Sequence, residues 1–249
     1  MNKLIVSGLF LVLACSSDES SPQTASSFCE QWAERACSSQ VVSACQAADA
    51  SACQGSQIAF CLDLLPSTGF AGSQAEQCLN AVRSAYSDAD LTADELGTVL
   101  RLEAPCDRLI SGPGVEGATC TSRLDCDAPE GFDCVFRDDD TTGTCQVPTQ
   151  VSAGLDCSAE NAVCAEGFYC DGENCIGGQS PGEACAVNRE CNDGYCNAGT
   201  CVALLDVDVA CTFDEQCASA LCYRFSATEQ VCTDRIRLSR TEPICEDLR

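Results

Sequence analysis

Twenty-five cysteines are the chief reactive groups of this 249-residue chain, and their spacing decides what they can do. No two of them are separated by fewer than four residues, so neither a C-x2-C zinc knuckle nor a thioredoxin-like dithiol can form. The chain has no histidine, and its one lysine is Lys3, which removes most general bases and nearly every amine nucleophile. The sequence predicts that the cysteines are paired as disulfides in an oxidising compartment. Catalytic, cofactor-binding and metal-binding residues are expected to be none, and no enzyme is expected. Carboxylate pairs could act as acid and base, but no stretch predicts a scaffold large enough to form a cleft around them.

Two other residue sets could carry chemistry. Asp138-Asp139-Asp140 and Asp171-Gly172-Glu173-Asn174 are the obvious loops for a divalent cation. Neither has the alternating oxygen ligands, central Gly and terminal Glu of an EF-hand loop. The stretch Asp88 to Glu95 is similar to the second half of such a loop, but Ser84 and Tyr86 stand where its first ligands would be. A capping box, Thr92 with Glu95, explains those residues without an ion. Arg123 and Arg189 form the second set. Each lies between the first two cysteines of a repeated unit, where a loop tied at both ends could enter a protease cleft with little loss of entropy.

The elements that must position these groups come in two kinds. From Cys120 to Cys232 a four-cysteine unit recurs four times: Cys120, Cys126, Cys134, Cys145; Cys157, Cys164, Cys170, Cys175; Cys185, Cys191, Cys196, Cys201; and Cys211, Cys217, Cys222, Cys232. Gly117, Gly154 and Gly182 stand three residues before the first cysteine, with Asp208 in that place in the fourth copy, which predicts a turn of positive φ. Before the third cysteine come Glu130-Gly131-Phe132-Asp133, Glu166-Gly167-Phe168-Tyr169 and Asp193-Gly194-Tyr195, degenerating to Ser219-Ala220-Leu221; one turn and one packed aromatic per copy are expected. Units of about 25 to 35 residues cannot bury a sufficient core, so two disulfides each must substitute for apolar area. Brief strands are expected at Gly131 to Phe136, Phe168 to Tyr169 and Thr200 to Val202.

Before the repeats, Phe28 to about Ile110 is rich in Ala, Gln, Leu and Glu and reads as short helices. Phe28, Trp32 and Ala36 make one apolar stripe. Gln57 to Leu65 gives a second helix stopped by Pro66, Ser73 to Tyr86 a third, and the box at Thr92 opens a last one to about Leu102. Cys29, Cys37, Cys45, Cys53 and Cys61 stand at a constant interval of eight, joined by Cys78 and Cys106. Ser111-Gly112-Pro113-Gly114 punctuates the boundary with the repeats. The fold class is small and disulfide-rich: a short-helix N-terminal domain, then four turn-rich repeats with short β-hairpins. The ranges are 1–14 signal, 15–27 lipidated Cys and tether, 28–110 helical domain, 117–150, 151–180, 181–204 and 205–234 repeats, and 235–249 tail.

Lys3 followed by an apolar run to Ala14 is an export signal, too short to span a bilayer as a helix. Its end, Val12-Leu13-Ala14-Cys15, resembles a bacterial lipobox. That resemblance implies cleavage before Cys15, lipidation of its sulfur and usually acylation of its amine, and more than one chain gives stable anchoring. Ser16 to Ser27 has the composition of a flexible tether. The absence of Asp after Cys15 favours the bacterial outer membrane, facing either the periplasm or the cell surface. Processing would leave 12 arginines against 38 acids, a net charge of −26, which opposes nucleic acid and anionic membrane surfaces as partners.

The unit G-x-x-C-x5-C-x2-G-x-C-x4-C, cleanest in Gly182 to Cys201, resembles the N-terminal cysteine-rich region of Dickkopf proteins. With the lipobox and the helical domain, the whole chain resembles cysteine-rich bacterial lipoproteins. The resemblance implies a fold and carries over no catalytic residue. Within each quartet, first-to-third and second-to-fourth pairing is expected, although the spacing allows three connectivities. With Cys15 lipidated, seven helical cysteines are odd in number, so Cys245 must pair outside the repeats if each repeat is self-contained. Cys106 is the expected partner; the alternative is Cys245 bonded within the last unit, with a helical cysteine bonded into the first. The expected function is a non-catalytic, acidic, extracytoplasmic binding or adhesion lipoprotein, held by acylated Cys15 and meeting an extracellular protein or polysaccharide, with protease inhibition as the alternative.

Overall fold

The structure is a computed structural model and describes residues 24–65, 69–137, 141–224 and 229–249. Cys15 and its lipobox, Pro66 and the Asp138-Asp139-Asp140 loop lie outside the described residues.

Five helices build the N-terminal part: α1 (Ala25–Ala36), α2 (Ser39–Cys45), α3 (Ala50–Leu64), α4 (Ala75–Ala85) and α5 (Ala93–Arg101). Helix α1 begins inside the expected tether. Thr24 accepts a hydrogen bond from the Ser27 amide at 3.1 Å while the Ser27 hydroxyl accepts from the Thr24 amide at 3.2 Å, a reciprocal cap made by residues whose composition reads as linker. Helix α2 was not expected from the sequence, and α3 starts at Ala50 rather than Gln57. Each has a side-chain cap: Ser38 accepts from the Val41 amide at 3.3 Å and Asp49 from the Ala52 amide at 2.8 Å. Thr92 and Glu95 form the capping box that opens α5, with the Glu95 carboxylate 2.9 Å from the Thr92 amide.

The five evenly spaced cysteines fold about their midpoint. Cys29 bonds Cys61 and Cys37 bonds Cys53, which fastens α1 antiparallel to α3 with α2 at the bend. Cys45, the centre of the series, bonds Cys245 across a sequence separation of 200. Cys106, the expected partner of Cys245, instead bonds Cys78 and ties α4 to the segment after α5. The tail does fold back onto the helices. Strand β1 (Asp90–Thr92) pairs antiparallel with the tail segment Arg235–Arg237, setting Leu91 opposite Ile236. Phe28, Trp32, Leu79, Val82, Tyr86, Leu91 and Leu109 are wholly buried, in one core that also takes Leu221, Ile236, Leu238, Ile244 and Leu248 from the far end of the chain. At its centre Trp32 Nε1–H donates to the Gln57 side-chain carbonyl at 2.9 Å, and the Gln57 amide nitrogen donates to the main-chain carbonyl of Asp247 at 2.7 Å.

The four repeats share one framework with different loop lengths. Their strands are β2 (Thr119–Cys120), β3 (Asp133–Val135) and β4 (Gly143–Gln146); β5 (Thr149–Val151), β6 (Ala162–Cys164), β7 (Phe168–Cys170) and β8 (Cys175–Gly177); β9 (Gly194–Asn197) and β10 (Thr200–Ala203); β11 (Cys222–Arg224) and β12 (Gln230–Cys232). The tail strand Arg235–Arg237 is β13. The third and fourth cysteines face each other across an antiparallel hairpin in every copy. First bonds third and second bonds fourth throughout. The residue three before the first cysteine has positive φ in all four copies: Gly117 at 81°, Gly154 at 74°, Gly182 at 97° and Asp208 at 69°. Its N–H donates to the carbonyl of the fourth cysteine at 2.7–2.8 Å in each. That turn is why glycine recurs there.

A second clamp was not visible in the cysteine pattern. The residue six before the first cysteine (Gly114, Val151, Gln179, Leu205) pairs in parallel with the second cysteine of its own unit. Each copy is thus held at both ends of its first half. The expected turn before the third cysteine falls at Gly131 and Gly167, but in the third copy the positive φ belongs to Asp193, at 48°. Gly194 serves instead for close approach: a Cβ there would lie 2.4 Å from the Val202 carbonyl oxygen on the paired strand. The packed aromatic does not recur uniformly. Tyr195 is buried and Phe132 packs on the first quartet, whereas Phe168 is exposed.

Candidate functional site

Every cysteine among the described residues is one half of a disulfide. Within each repeat three cysteine sulfurs lie within 4.8 Å of one another. Two crossed disulfides produce that proximity, and a bonded sulfur has no thiolate to offer a metal.

The acidic loops hold their own backbone. Asp171 accepts from the amides of Glu173 at 2.9 Å and Asn174 at 2.8 Å, closing the β7–β8 hairpin, and those bonds, Asn174 first, hold its carboxyl below the usual range. Asp125 accepts from the Thr121 amide at 2.7 Å and the Ser122 amide at 2.9 Å, which lowers its pKa for the same reason. Glu190 takes the Ala186 amide at 2.6 Å and Gln216 the Thr212 amide at 2.7 Å. In three copies, then, the acceptor just before the second cysteine ties back to the residue just after the first. The sequence signal is an acidic or amide side chain at that position; the second copy has Val163 there.

The two arginine loops diverge. Arg123 donates to the carbonyls of Leu102 at 2.5 Å and Arg101 at 3.3 Å, joining the first repeat to the C-terminal end of α5, where free carbonyls and the helix dipole favour a cation. In the third and fourth copies the equivalent residues are acceptors: Asn188 takes the amide of Cys196 at 3.0 Å and Asp214 that of Cys222 at 2.8 Å. Arginine cannot accept, so the first loop turns to the helix instead.

Arg189 lies elsewhere, on the wall of an open cleft of about 200 Å³ where the first three repeats meet. Phe136 and Arg137 come from the end of β3, Val163 from β6, Phe168 and Tyr169 from β7, and Arg189 from the short turn before Cys191. Phe136, Val163 and Phe168 are 42%, 44% and 37% exposed, unusual for apolar side chains gathered on one wall. The Tyr169 hydroxyl accepts from Gln179 at 3.3 Å, and Arg137 donates to the Ser158 carbonyl, so both side chains are tethered. The chain has three acids for every base, yet this cleft is lined by two guanidiniums and, among the described residues, no carboxylate. Sequence reasoning found Arg189 and the aromatics of β7 but not their convergence with Phe136 and Arg137. The local signal was the Phe-Arg pair just past Cys134, in a stretch already expected to form a strand.

The architecture defines a small, disulfide-rich chain of repeated cysteine clusters behind a helical region. No protein-family model, curated protein or solved structure matches it.

Proposed function

We propose that the protein is a non-catalytic extracytoplasmic binding protein, lipid-anchored through Cys15 in a bacterial outer membrane, that presents its repeats to an extracellular protein or polysaccharide. The observation that supports this reading is a constant scaffold carrying variable loops. The same two clamps and crossed disulfides recur, while the span from second to fourth cysteine runs 19, 11, 10 and 15 residues. Rigid loops lose little entropy on binding. The likeness to the Dickkopf cysteine-rich region supports the hairpin module only, and receptor antagonism is not carried over. Protease inhibition draws less support, because Arg123 would have to leave the α5 carbonyls to enter a protease.

The test has two arms. Cys15→Ser should move the protein from the membrane fraction to the soluble one or leave it unprocessed; unchanged membrane association would overturn the anchor. The detergent-solubilised chain, immobilised and exposed to envelope polysaccharides and secreted proteins, should retain a discrete component. Retention of nothing, together with near-stoichiometric inhibition of trypsin, would replace binding by inhibition.

A further inference from the structure

We propose that the Cys185–Cys196 bond of the third repeat is an exchangeable disulfide, a reversible modification site that opens to a dithiol reductant while the other disulfides of the chain stay closed. The inference goes beyond the binding reading above and does not depend on it.

Thiol–disulfide exchange makes two demands on a bond. The attacking thiolate must reach one sulfur, and the other sulfur must leave as a thiolate, a charged form that burial disfavours. Among the described disulfides, only Cys185–Cys196 has neither half buried. In the second repeat Cys170 is half-buried but its partner Cys157 is only 3% exposed, and the half-buried Cys164 is bonded to the wholly buried Cys175. Cys191 has the same handicap, since its partner Cys201 is wholly buried. The first and fourth quartets form small apolar clusters of their own, and every cysteine of the helical domain is buried. For all these bonds the chain must open locally before exchange can run.

The exchange balances with a dithiol alone. One thiolate of the reductant bonds the Sγ of Cys185 or Cys196, and the other cysteine leaves as a thiolate and takes up a proton. The reductant's second thiol, losing its proton, then displaces the first cysteine and closes the reductant's own disulfide, so two electrons and two protons pass to the protein. The return is favoured by what survives. Cys191–Cys201 still closes the repeat, the Cys185 amide donates to the Gly199 carbonyl at 3.1 Å, and the Cys196 amide donates to the Asn188 side-chain carbonyl at 3.0 Å. These keep the two cysteines within reach of each other. What reduction loosens is β9, where Tyr195, next to Cys196, meets Phe213 of the fourth repeat edge-on with ring centroids 6.2 Å apart. The joint between the third and fourth repeats is thereby tied to the oxidation state of one bond.

Graded dithiothreitol on the detergent-solubilised full chain, with N-ethylmaleimide trapping and peptide mass spectrometry, tests the assignment. Cys185 and Cys196 should be labelled together and at least about tenfold faster than any other cysteine, because the others wait for local opening. Hydrogen exchange in the partly reduced chain should accelerate at Tyr195 and Val202 and stay level in α1 to α5, and oxidised dithiothreitol should restore the original protection. The double variant Cys185→Ser/Cys196→Ser should lose the fast phase of labelling and show the faster exchange at Tyr195 with no reductant present. Earlier labelling of another pair, labelling of all cysteines in one step, or unaltered exchange at Tyr195 after reduction would overturn the proposal, and each is read on the parent chain whether or not the variant folds.

Discussion

Cys45 and Cys245 are bonded across a sequence separation of 200, so the tail segment is covalently part of the N-terminal helical core. Cys45 stands at the end of α2, and Cys245 lies in the 3-10 turn Pro243–Leu248, whose Ile244 and Leu248 are buried against the helices. The repeats are therefore a closed excursion from the helical domain. At one end Arg123 and the Phe70–Ile110 bridge secure the exit; at the other β13 on β1 and the disulfide secure the return.

The clasp should contribute to stability by closing a long loop, a contribution that grows only with the logarithm of the loop's length. The double variant Cys45→Ala/Cys245→Ala is expected to lose about 2–4 kcal/mol, at the lower end because the other disulfides already restrict the unfolded chain. Calorimetric unfolding should show the loss in the transition that includes the helices. An unchanged melting temperature would mean that β13 and the buried Ile244 and Leu248 hold the tail unaided.

Gln57 links the only tryptophan to the tail. Gln57→Leu leaves the Trp32 indole N–H buried without its acceptor and the Asp247 carbonyl without its donor, and should cost about 1–3 kcal/mol. Because Trp32 is the sole tryptophan, its fluorescence maximum reports the site directly. A variant as stable as the parent, with an unshifted emission, would show that another group replaces the amide.

The parts of this architecture that were legible in sequence are those set by local covalent and steric rules. Quartet spacing specified the modules, glycine at Gly117, Gly154 and Gly182 specified the left-handed turn, and the Thr92 to Glu95 interval specified a cap. Equal cysteine spacing also contained the nested pairing of Cys29 with Cys61 and Cys37 with Cys53, because an antiparallel bend matches residues equidistant from its centre and leaves Cys45 over. Reading Cys106 as the partner of Cys245 used nearness along the chain, which a closed excursion makes irrelevant. The convergence at the cleft could not be read: exposure of Phe136 and Phe168 on one wall depends on how three separate modules abut.

Glycine positions separate backbone preference from steric exclusion. At Gly182 a Cβ would meet nothing within 4 Å, so Gly182→Ala should cost only the left-handed penalty of about 1–2 kcal/mol. Gly194→Ala meets the Val202 carbonyl oxygen at 2.4 Å and must part the β9–β10 hairpin, so it should be the worse of the two, with loss of amide protection at Val202 and Tyr195 in hydrogen exchange. Equal effects would contradict the close approach of Gly194 to the Val202 carbonyl oxygen.

Asp125 makes the acid response of the first repeat predictable in sign. Amide donors from Thr121 and then Ser122 favour its ionised form, so its folded pKa lies below the unfolded one. A depressed carboxylate contributes stability that is fully present above the unfolded value, near pH 4, and is lost as pH falls through the lower folded value. Asp125→Asn retains an oxygen acceptor for the Thr121 amide but removes the titration. Hydrogen exchange at Thr121 and Ser122 should therefore accelerate in the parent as the solution is taken below about pH 4, after correction for the intrinsic rate, and stay level in the variant. Matching acid responses in the two proteins would show that the Asp125 carboxylate does not govern this loop.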